Sequence, residues 1–152
     1  MPSAESSSYH LPHRPRRLRA TTNLRRMARE TRLATDDLIA PLFVMDGKNE
    51  REEVSSMPDT YRHTIDHLVK KAETLADLGI PAVALFPAIP DELKTPDAAH
   101  ALEPDHLYPK AIRGLKDAVP ELMVITDTAL DPSNRDGHDG IVRDGEIVND
   151  AT

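Results

Sequence analysis

Three short apolar runs alternate with two amphipathic segments along this chain of 152 residues. The runs cover residues 38–45, 82–86 and 122–125, and runs of this kind predict strands that are buried on both faces. In segments 64–78 and 106–119, apolar residues recur every three or four positions, which predicts helices. The order strand, helix, strand, helix, strand predicts right-handed βαβ units and a parallel sheet.

Glycine and proline mark the expected ends of these elements. Gly79 stands at the predicted C-cap of the first long helix, and Pro120 ends the second. Pro87 is expected to end the second strand. Pro41 argues against a central strand, but the long apolar run around it still favours a strand.

The remaining segments carry weaker patterns. Residues 46–60 and 89–104 are predicted to be loops, and residues 149–152 suit the start of a helix. Asp144-Gly145, between two apolar pairs, predicts the turn of a hairpin. Thr22 or Asn23 is expected to cap a short helix that ends near residue 31. Residues 1–13 are polar and are expected to be disordered or loosely attached.

Three parallel strands make an incomplete sheet with long apolar edges, which indicates the first part of something larger. A (β/α)8 barrel needs about 250 residues. We therefore predict an α/β fold that is the N-terminal portion of a TIM (β/α)8 barrel, with about three of its strands. The predicted domains are an N-terminal arm at 1–35 and the first part of the barrel at 36–152.

Composition excludes several classes of protein. The chain has no cysteine, so disulfides and thiolate zinc sites are impossible. It has no apolar run long enough for a membrane span, and its N-terminus lacks the apolar core of a secretory signal. A cytoplasmic protein that does not bind membranes is the default expectation.

Charge is divided unevenly between the arm and the rest. Residues 1–35 hold eight arginines and two glutamates, a net charge of +6, so the remainder carries −13 of the total of −7. One interpretation is a nucleic-acid-binding arm, but no aromatic residue stands among the arginines to stack on bases. We favour an arm that lies on an acidic surface of its own or of a partner subunit.

The richest candidate site follows the third apolar run. Asp127 falls at the C-terminal end of that predicted strand, where α/β proteins collect their chemistry, and Asp131, Asp136, His138 and Asp139 follow it. An acidic loop alone is more often a solvated turn than a metal site. A calcium loop of the EF-hand type is excluded because its register would place proline or arginine at the first ligand position.

Eight motifs, in order and at matching intervals, resemble the N-terminal half of porphobilinogen synthase (δ-aminolevulinate dehydratase). They are RPRRLR at 14–19, LRRM at 24–27, ETRL at 30–33, DLIAPLFV at 37–44, SMP at 56–58, GIPAVALFP at 79–87, ITDTALDP at 125–132 and GHDG at 137–140. The resemblance covers nearly the whole chain. It implies a TIM barrel that condenses two molecules of 5-aminolevulinate into porphobilinogen in tetrapyrrole (haem) biosynthesis. It also implies an arm that wraps a neighbouring subunit, commonly within a homo-octamer, rather than nucleic-acid binding.

The resemblance also assigns roles to the acidic loop. Zinc-dependent members have three cysteines where this chain has Ala129, Asp131 and Asp139, so the chain resembles the aspartate-rich, zinc-independent branch. Activation by Mg²⁺ or a monovalent cation is then expected, with Asp131 and Asp139 as metal ligands or as contacts to substrate and water. Asp127 matches an active-site carboxylate that would orient a substrate amine or bound water. His138 is expected to pack within the loop rather than to be a ligand.

This chain departs from the family's usual pattern in the acidic loop and in its lysines. Ser133 stands where the family usually has an aromatic residue, and Asp136 where it often has histidine. The family's two Schiff-base lysines lie in the other half of the barrel, and none of this chain's lysines matches either of them. The lysines of this chain are predicted to be solvated. The six are Lys48, Lys70, Lys71, Lys94, Lys110 and Lys116. The chain alone is therefore expected to be inactive. The alternative is a truncated, non-catalytic paralogue that acts as an oligomerisation or binding module through its basic arm.

Overall fold

The structure, a computed structural model, describes residues 16–151. The chain divides into two compact units, the first ending at Leu33 and the second beginning at Ala34. The predicted disordered start at 1–13 lies outside the described residues.

The first unit is a 3-10 turn, Arg17–Arg19, followed by one short helix, α1 (Thr22–Ala28). Thr21 is extended, and its side-chain oxygen accepts a hydrogen bond from the backbone N–H of Leu24 at 3.1 Å. The cap is therefore one residue earlier than we predicted, and the helix ends three residues sooner. None of its residues is buried, so no packing supports a further turn.

The second unit is built on a five-stranded sheet in the order β2-β3-β1-β4-β5. The strands are β1 (Ile39–Met45), β2 (Arg51–Glu53), β3 (Tyr61–His63), β4 (Ala82–Ala88) and β5 (Met123–Thr126). Strand β4 pairs in parallel with both β1 and β5. Helix α2 (Ile65–Asp77) connects β3 to β4, and helix α3 (Leu107–Ala118) connects β4 to β5. The predicted alternation of strands and helices is confirmed.

A glycine determines how helix α2 ends. Gly79 adopts a φ of +79°, and its N–H donates to the carbonyl of Ala76, while the N–H of Ile80 donates to that of Leu75. These two bonds form a Schellman motif, which a left-handed glycine makes possible. Gly79 is thus the residue after the C-cap rather than the C-cap itself, which is Leu78.

The two faces of the sheet have different environments. Leu42 and Val44 of β1 and Val83 and Leu85 of β4 point toward α2 and α3 and form the core with apolar residues of both helices. The core positions of the helices are Leu68, Ala72, Leu107, Ala111 and Leu115. The opposite face has no such cover in the described residues: Ile39 is 55% exposed and Met123 is 61% exposed. Strands buried on both faces, as we predicted, are therefore not found, because helices cover one face alone.

Several boundaries differ from the prediction. Strand β4 continues through Pro87 to Ala88, and Pro87 pairs with Val44 of β1. Pro41 is tolerated although β1 lies inside the sheet, because β3 pairs with β1 through Phe43 and Val44, away from the proline.

Segment 46–60, predicted to be a loop, contains strand β2, which pairs antiparallel with β3. Both strands are short and polar and have no apolar alternation, so the pattern gave no indication of them. They lie beside β1, so that edge of the sheet is polar rather than apolar. Segment 89–104 contains two 3-10 turns, Asp91–Leu93 and Ala99–Leu102.

The predicted hairpin is present at the end of the unit. Strands β6 (Val142–Arg143) and β7 (Glu146–Ile147) pair antiparallel around Asp144 and Gly145, which both have positive φ, as a type I′ turn requires. A single 3-10 turn, Asn149–Ala151, follows where we expected a helix to begin. None of the described helices has the length and apolar character needed to cross a membrane.

Candidate functional site

A cavity of about 350 Å³ lies at the C-terminal ends of β4 and β5. Its lining includes Phe86 and Pro87 of β4, Tyr108 of α3, and the backbone and side chains that follow β5, from Asp127 through Ser133. The carboxyl ends of parallel strands are where barrel proteins place their active sites. Asp127 and Asp131, predicted from the sequence to be site residues, both line this cavity.

Tyr108 joins the ends of the two strands at the cavity wall. Its phenol hydroxyl donates a 2.6 Å hydrogen bond to the carbonyl oxygen of Leu85, and the backbone N–H of Asp127 lies close enough to the phenol oxygen to lower its pKa. Burial raises the pKa of Tyr108, the N–H of Asp127 lowers it, and the negative charge of Asp127 raises it again. The net direction is upward, so the phenol stays protonated at neutral pH.

Asp139 binds the start of the acidic loop rather than pointing into the cavity. Its Oδ1 accepts the backbone N–H groups of Leu130, at 2.6 Å, and of Asp131, at 3.1 Å. The carboxylate therefore fixes the backbone at the position from which the side chain of Asp131 extends.

Asn134 attaches the acidic loop to the loop after β4. It is 3% exposed, and its side-chain amide donates to the carbonyl oxygens of Pro96 at 3.1 Å and Gly140 at 3.4 Å. Beside it, Thr95 exchanges backbone hydrogen bonds with Ser133 and Arg135. Because these contacts join positions almost forty residues apart, the two loops form one wall of the cavity.

A histidine pair lies at the start of α3, and its member His106 also lines the cavity. The Nδ1 of His106 accepts the N–H of Tyr108 at 3.4 Å and so caps the helix, and its ring lies 5.3 Å from that of His100. Burial, and then the neighbouring His100, lower the pKa of His106, while Glu103 acts in the opposite direction. His106 is therefore held neutral, as its accepting role in the cap requires.

The described residues do not by themselves complete a metal site. Within residues 16–151, no group of three or more histidine, cysteine or acidic side chains converges on one point. Asp139 already accepts two backbone N–H groups, and Mg²⁺ requires near-octahedral coordination by oxygen. Binding of Mg²⁺ or a monovalent cation by Asp131 and Asp139 thus stays a prediction that needs ligands beyond these two.

The lysines have ordinary surroundings. Lys48, Lys70, Lys71 and Lys110 are exposed, as predicted. Lys94 forms a 2.7 Å ion pair with Asp91, and Lys116 donates to the carbonyl oxygens of Pro120 and Leu122 beyond the end of α3, so these two are not simply solvated. None of the six lines the cavity that contains Asp127.

Sequence patterns identified some of these residues and missed others. Asp127 and Asp131 both line the cavity, whereas Asp136 and His138 do not. His138 is exposed, which contradicts a packing role for it. Tyr108, His106 and Asn134 were missed. A histidine or asparagine before a helix or in a turn has capping chemistry, but the long-range bonds of Tyr108 leave no trace in local sequence.

Parallel strands covered by helices, with an acidic cavity at their carboxyl ends, define a portion of a (β/α)8 barrel. The family model for delta-aminolevulinic acid dehydratase matches residues 12–152, and the chain belongs to this family. The family, and the position of the chain in the N-terminal part of its barrel, agree with the resemblance drawn from the motifs.

Individual relatives support the same assignment. The delta-aminolevulinic acid dehydratase of Bradyrhizobium diazoefficiens is 45% identical over 150 residues, which is 99% of this chain and 42% of the relative. That of Chlamydia pneumoniae is 44% identical, over 95% of this chain and 43% of the relative. The chain therefore spans less than half the length of these relatives.

A solved structure shows the same fold. The crystal structure of delta-aminolevulinic acid dehydratase (porphobilinogen synthase) from Toxoplasma gondii ME49, in complex with the reaction product porphobilinogen, superposes with a TM-score of 0.84 at 39% identity. The superposition covers 94% of this chain and 41% of that one. The strands β1, β4 and β5 are thus part of a TIM barrel.

Proposed function

We propose that this chain supplies the first part of the barrel, and one wall of the active site, of a porphobilinogen synthase. The reaction is the condensation of two 5-aminolevulinate molecules to porphobilinogen, in the cytoplasm. The observation that carries the proposal is the position of Asp127, at the end of β5 and on the cavity wall, in a chain of this family. A carboxylate there can orient a substrate amine or hydrogen-bond a water molecule.

In this proposal, the rest of the catalytic residues belong to the other part of the barrel. Covalent chemistry on a ketone needs an amine nucleophile with a lowered pKa, and no lysine of this chain lines the cavity. The 152-residue polypeptide alone is therefore expected to form no porphobilinogen. Asp131 would contact substrate, water or a cation, and Asp139 would act on it through the backbone. Activation by Mg²⁺ or a monovalent cation belongs to the same proposal.

The experiment is to complete the barrel and assay it. In the Bradyrhizobium diazoefficiens relative, the part that matches this chain is replaced by this chain, and pyrrole formation from 5-aminolevulinate is measured with and without Mg²⁺ and K⁺. We expect turnover, and a loss of roughly 10²-fold or more in the Asp127→Asn variant, which keeps the size of the side chain. A folded chimera with no turnover, beside an active parent enzyme, would refute the proposal.

The natural context of the chain is a separate question with a direct measurement. The intact mass of the polypeptide recovered from its source is expected to be about twice 16.8 kDa or slightly more, since the chain covers 42% of a relative. A mass of 16.8 kDa would instead favour the alternative, a non-catalytic module. In that case, mixing it with a full-length relative should change the size of the oligomer.

For partners, we propose a homo-oligomer, an octamer as the resemblance implies, in which the basic arm contacts a neighbouring subunit. The support is the charge difference between the two parts of the chain, +6 in residues 1–35 against −13 in the remainder. Opposite charges attract at a distance and orient an approaching segment. Sedimentation of the completed protein, compared with a form that lacks residues 1–33, would test this, and an unchanged oligomer would contradict it.

A further inference from the structure

The parallel ladder between β4 and β5 ends directly before Asp127. The last pair is Leu85 with Thr126, after which β4 continues with β1 as its partner and β5 stops. The backbone N–H of Asp127 has therefore passed the last pair of the ladder. Beyond the ladder, an N–H without a protein partner leaves the end of the strand less restrained.

The phenol oxygen of Tyr108 occupies the position of the next rung. It donates to the carbonyl of Leu85 at 2.6 Å, and the N–H of Asp127 lies close enough to act on the same oxygen, so one oxygen atom stands between the two strand ends. The strands separate there at the cavity, which both Tyr108 and Asp127 line.

The phenol is itself held firmly. Tyr108 is the second residue of α3, between the buried Leu107 and the core residue Ala111, and His106 caps its N–H. Its ring packs against the buried core of the sheet. Because burial and the nearby carboxylate raise the pKa of the phenol, the hydroxyl keeps the proton that it donates to Leu85.

We propose that Tyr108 is a positioning residue for the reaction: its hydroxyl bridges Leu85 and Asp127 and thereby fixes the direction in which the Asp127 carboxylate meets the substrate. This inference rests on the proposed function for its catalytic consequence. Its structural part, the bridge itself, does not depend on any substrate.

The first test measures the bridge in this chain without substrate. Tyr108→Phe removes the hydroxyl and keeps the ring. We expect amide hydrogen exchange at Asp127 to accelerate about 10-fold in this variant. Tyr61→Phe, which removes a phenol hydroxyl from β3 outside this cavity, is the matched control and should leave the Asp127 amide unchanged. Equal exchange at Asp127 in the wild-type and Tyr108→Phe chains would overturn the proposal.

The second test measures the consequence in the completed barrel. Tyr108→Phe should lower kcat about 10-fold with little change in KM, since misplacement of a reacting group mainly affects the chemical step. In the Asp127→Asn background the same change should have almost no further effect on kcat. A merely structural role would instead lower kcat by the same factor in both backgrounds. Additive effects, or an unchanged kcat in the single variant, would overturn the inference.

The two proposals fail in different ways. If the completed wild-type barrel has no activity, the proposed function fails, and the exchange measurement still shows whether the bridge exists. If the barrel is active and the Tyr108→Phe variant is equally active, the proposed function stands and the role of Tyr108 is refuted.

Discussion

Asp139 shows how one side chain can organise a loop that the sequence marks only as acidic. Its carboxylate accepts two consecutive backbone N–H groups, those of Leu130 and Asp131, across eight or nine residues of chain. Charged acceptors make stronger hydrogen bonds than neutral ones. The conformation of the backbone before Asp131 therefore depends on a residue at the other end of the loop.

We predict that Asp139→Ala loosens this loop without unfolding the core. Amide exchange at Leu130 and Asp131 should accelerate about fivefold, because both N–H groups lose their acceptor. Asp136→Ala is the matched control in the same loop, because Asn134 bonds its backbone N–H rather than its carboxylate. Equal protection of Leu130 in the wild-type and Asp139→Ala chains would contradict the prediction.

A second residue-scale prediction concerns pH. The pKa values of His106 and His63 are lowered, in both cases first by burial, so the fold favours the neutral rings. A lowered histidine pKa adds stability above the unfolded-state value of about 6.5, and this stability is lost as the pH falls through that value toward the folded pKa. Urea unfolding midpoints should therefore decrease between ~pH 7.5 and ~pH 5.5.

The source of that pH dependence can be isolated with His106→Asn. Asparagine also caps helices but does not titrate, so the decrease between the two pH values should become smaller. The carboxylates with lowered pKa values, Asp66, Asp91 and Asp97, lose their contribution only at much lower pH, below about 3.8. An identical decrease in wild type and His106→Asn would assign the effect to other groups.

The site residues divide by how far their partners lie along the chain. Asp127 could be predicted because the end of a predicted parallel strand is a local feature with a known use. Tyr108 could not be predicted, because its hydroxyl binds Leu85, 23 residues earlier, and the other phenol contact is with Asp127. Long-range polar contacts need the register of the sheet, which apolar periodicity does not supply.

At the scale of elements, the end of α2 depends on a single backbone conformation. Gly79 has a φ of +79°, and both hydrogen bonds of the Schellman motif follow from it. A Cβ there would meet Thr35 Oγ1 at 3.5 Å, an ordinary contact, so space is not the constraint. The constraint is the left-handed backbone, which residues with a Cβ rarely adopt.

We predict that Gly79→Ala lowers the free energy of unfolding by about 1–2 kcal/mol. Gly79→Asn should cost less, because asparagine tolerates the left-handed region better. Urea denaturation of the three chains measures the difference. Equal stability of the alanine and asparagine variants would show that the backbone conformation at residue 79 does not determine the cost.

Boundaries of elements were less predictable than their existence. Both prolines in the sheet were expected to limit strands, yet β1 contains Pro41 and β4 contains Pro87. Whether a proline disrupts a strand depends on which neighbour pairs at that position, and this is a property of the assembled sheet. Strands β2 and β3 were missed because their residues are polar, and cross-strand pairs such as Glu52 with Arg62 leave no apolar alternation in the sequence.

At the scale of the second unit, the order of elements fixes which sheet face is covered. Both crossover helices pack on the same face, where Leu68 and Leu115 are fully buried against β1 and β4. In a closed barrel the opposite face would be filled by layers of side chains from other strands. This explains why strands that look fully buried in sequence are half exposed in a chain that spans 42% of a relative.

The core on the covered face is expected to determine the stability of this unit. Leu115→Ala should lower the free energy of unfolding by about 2–5 kcal/mol, because Leu115 is fully buried between α3 and the sheet. Leu102→Ala is the matched control, since Leu102 is 83% exposed, and should change stability by less than about 0.5 kcal/mol. Comparable losses in both variants would contradict this assignment of the core.

The open face and the outer edge of β5 lead to a prediction about the isolated 152-residue chain. Met123, on β5, is 61% exposed, and nearby Ile125 and Phe86 are 38% and 37% exposed. Apolar surface at an unpaired strand edge favours association between copies of a chain. Sedimentation velocity should show the average size increasing with concentration.

Met123→Lys should reduce this association, because a lysine at a strand edge must be desolvated when another strand pairs there. Leu102→Lys adds the same charge on a 3-10 turn outside the sheet and should have little effect. A chain that stays monomeric at every concentration would show that this open face does not drive association.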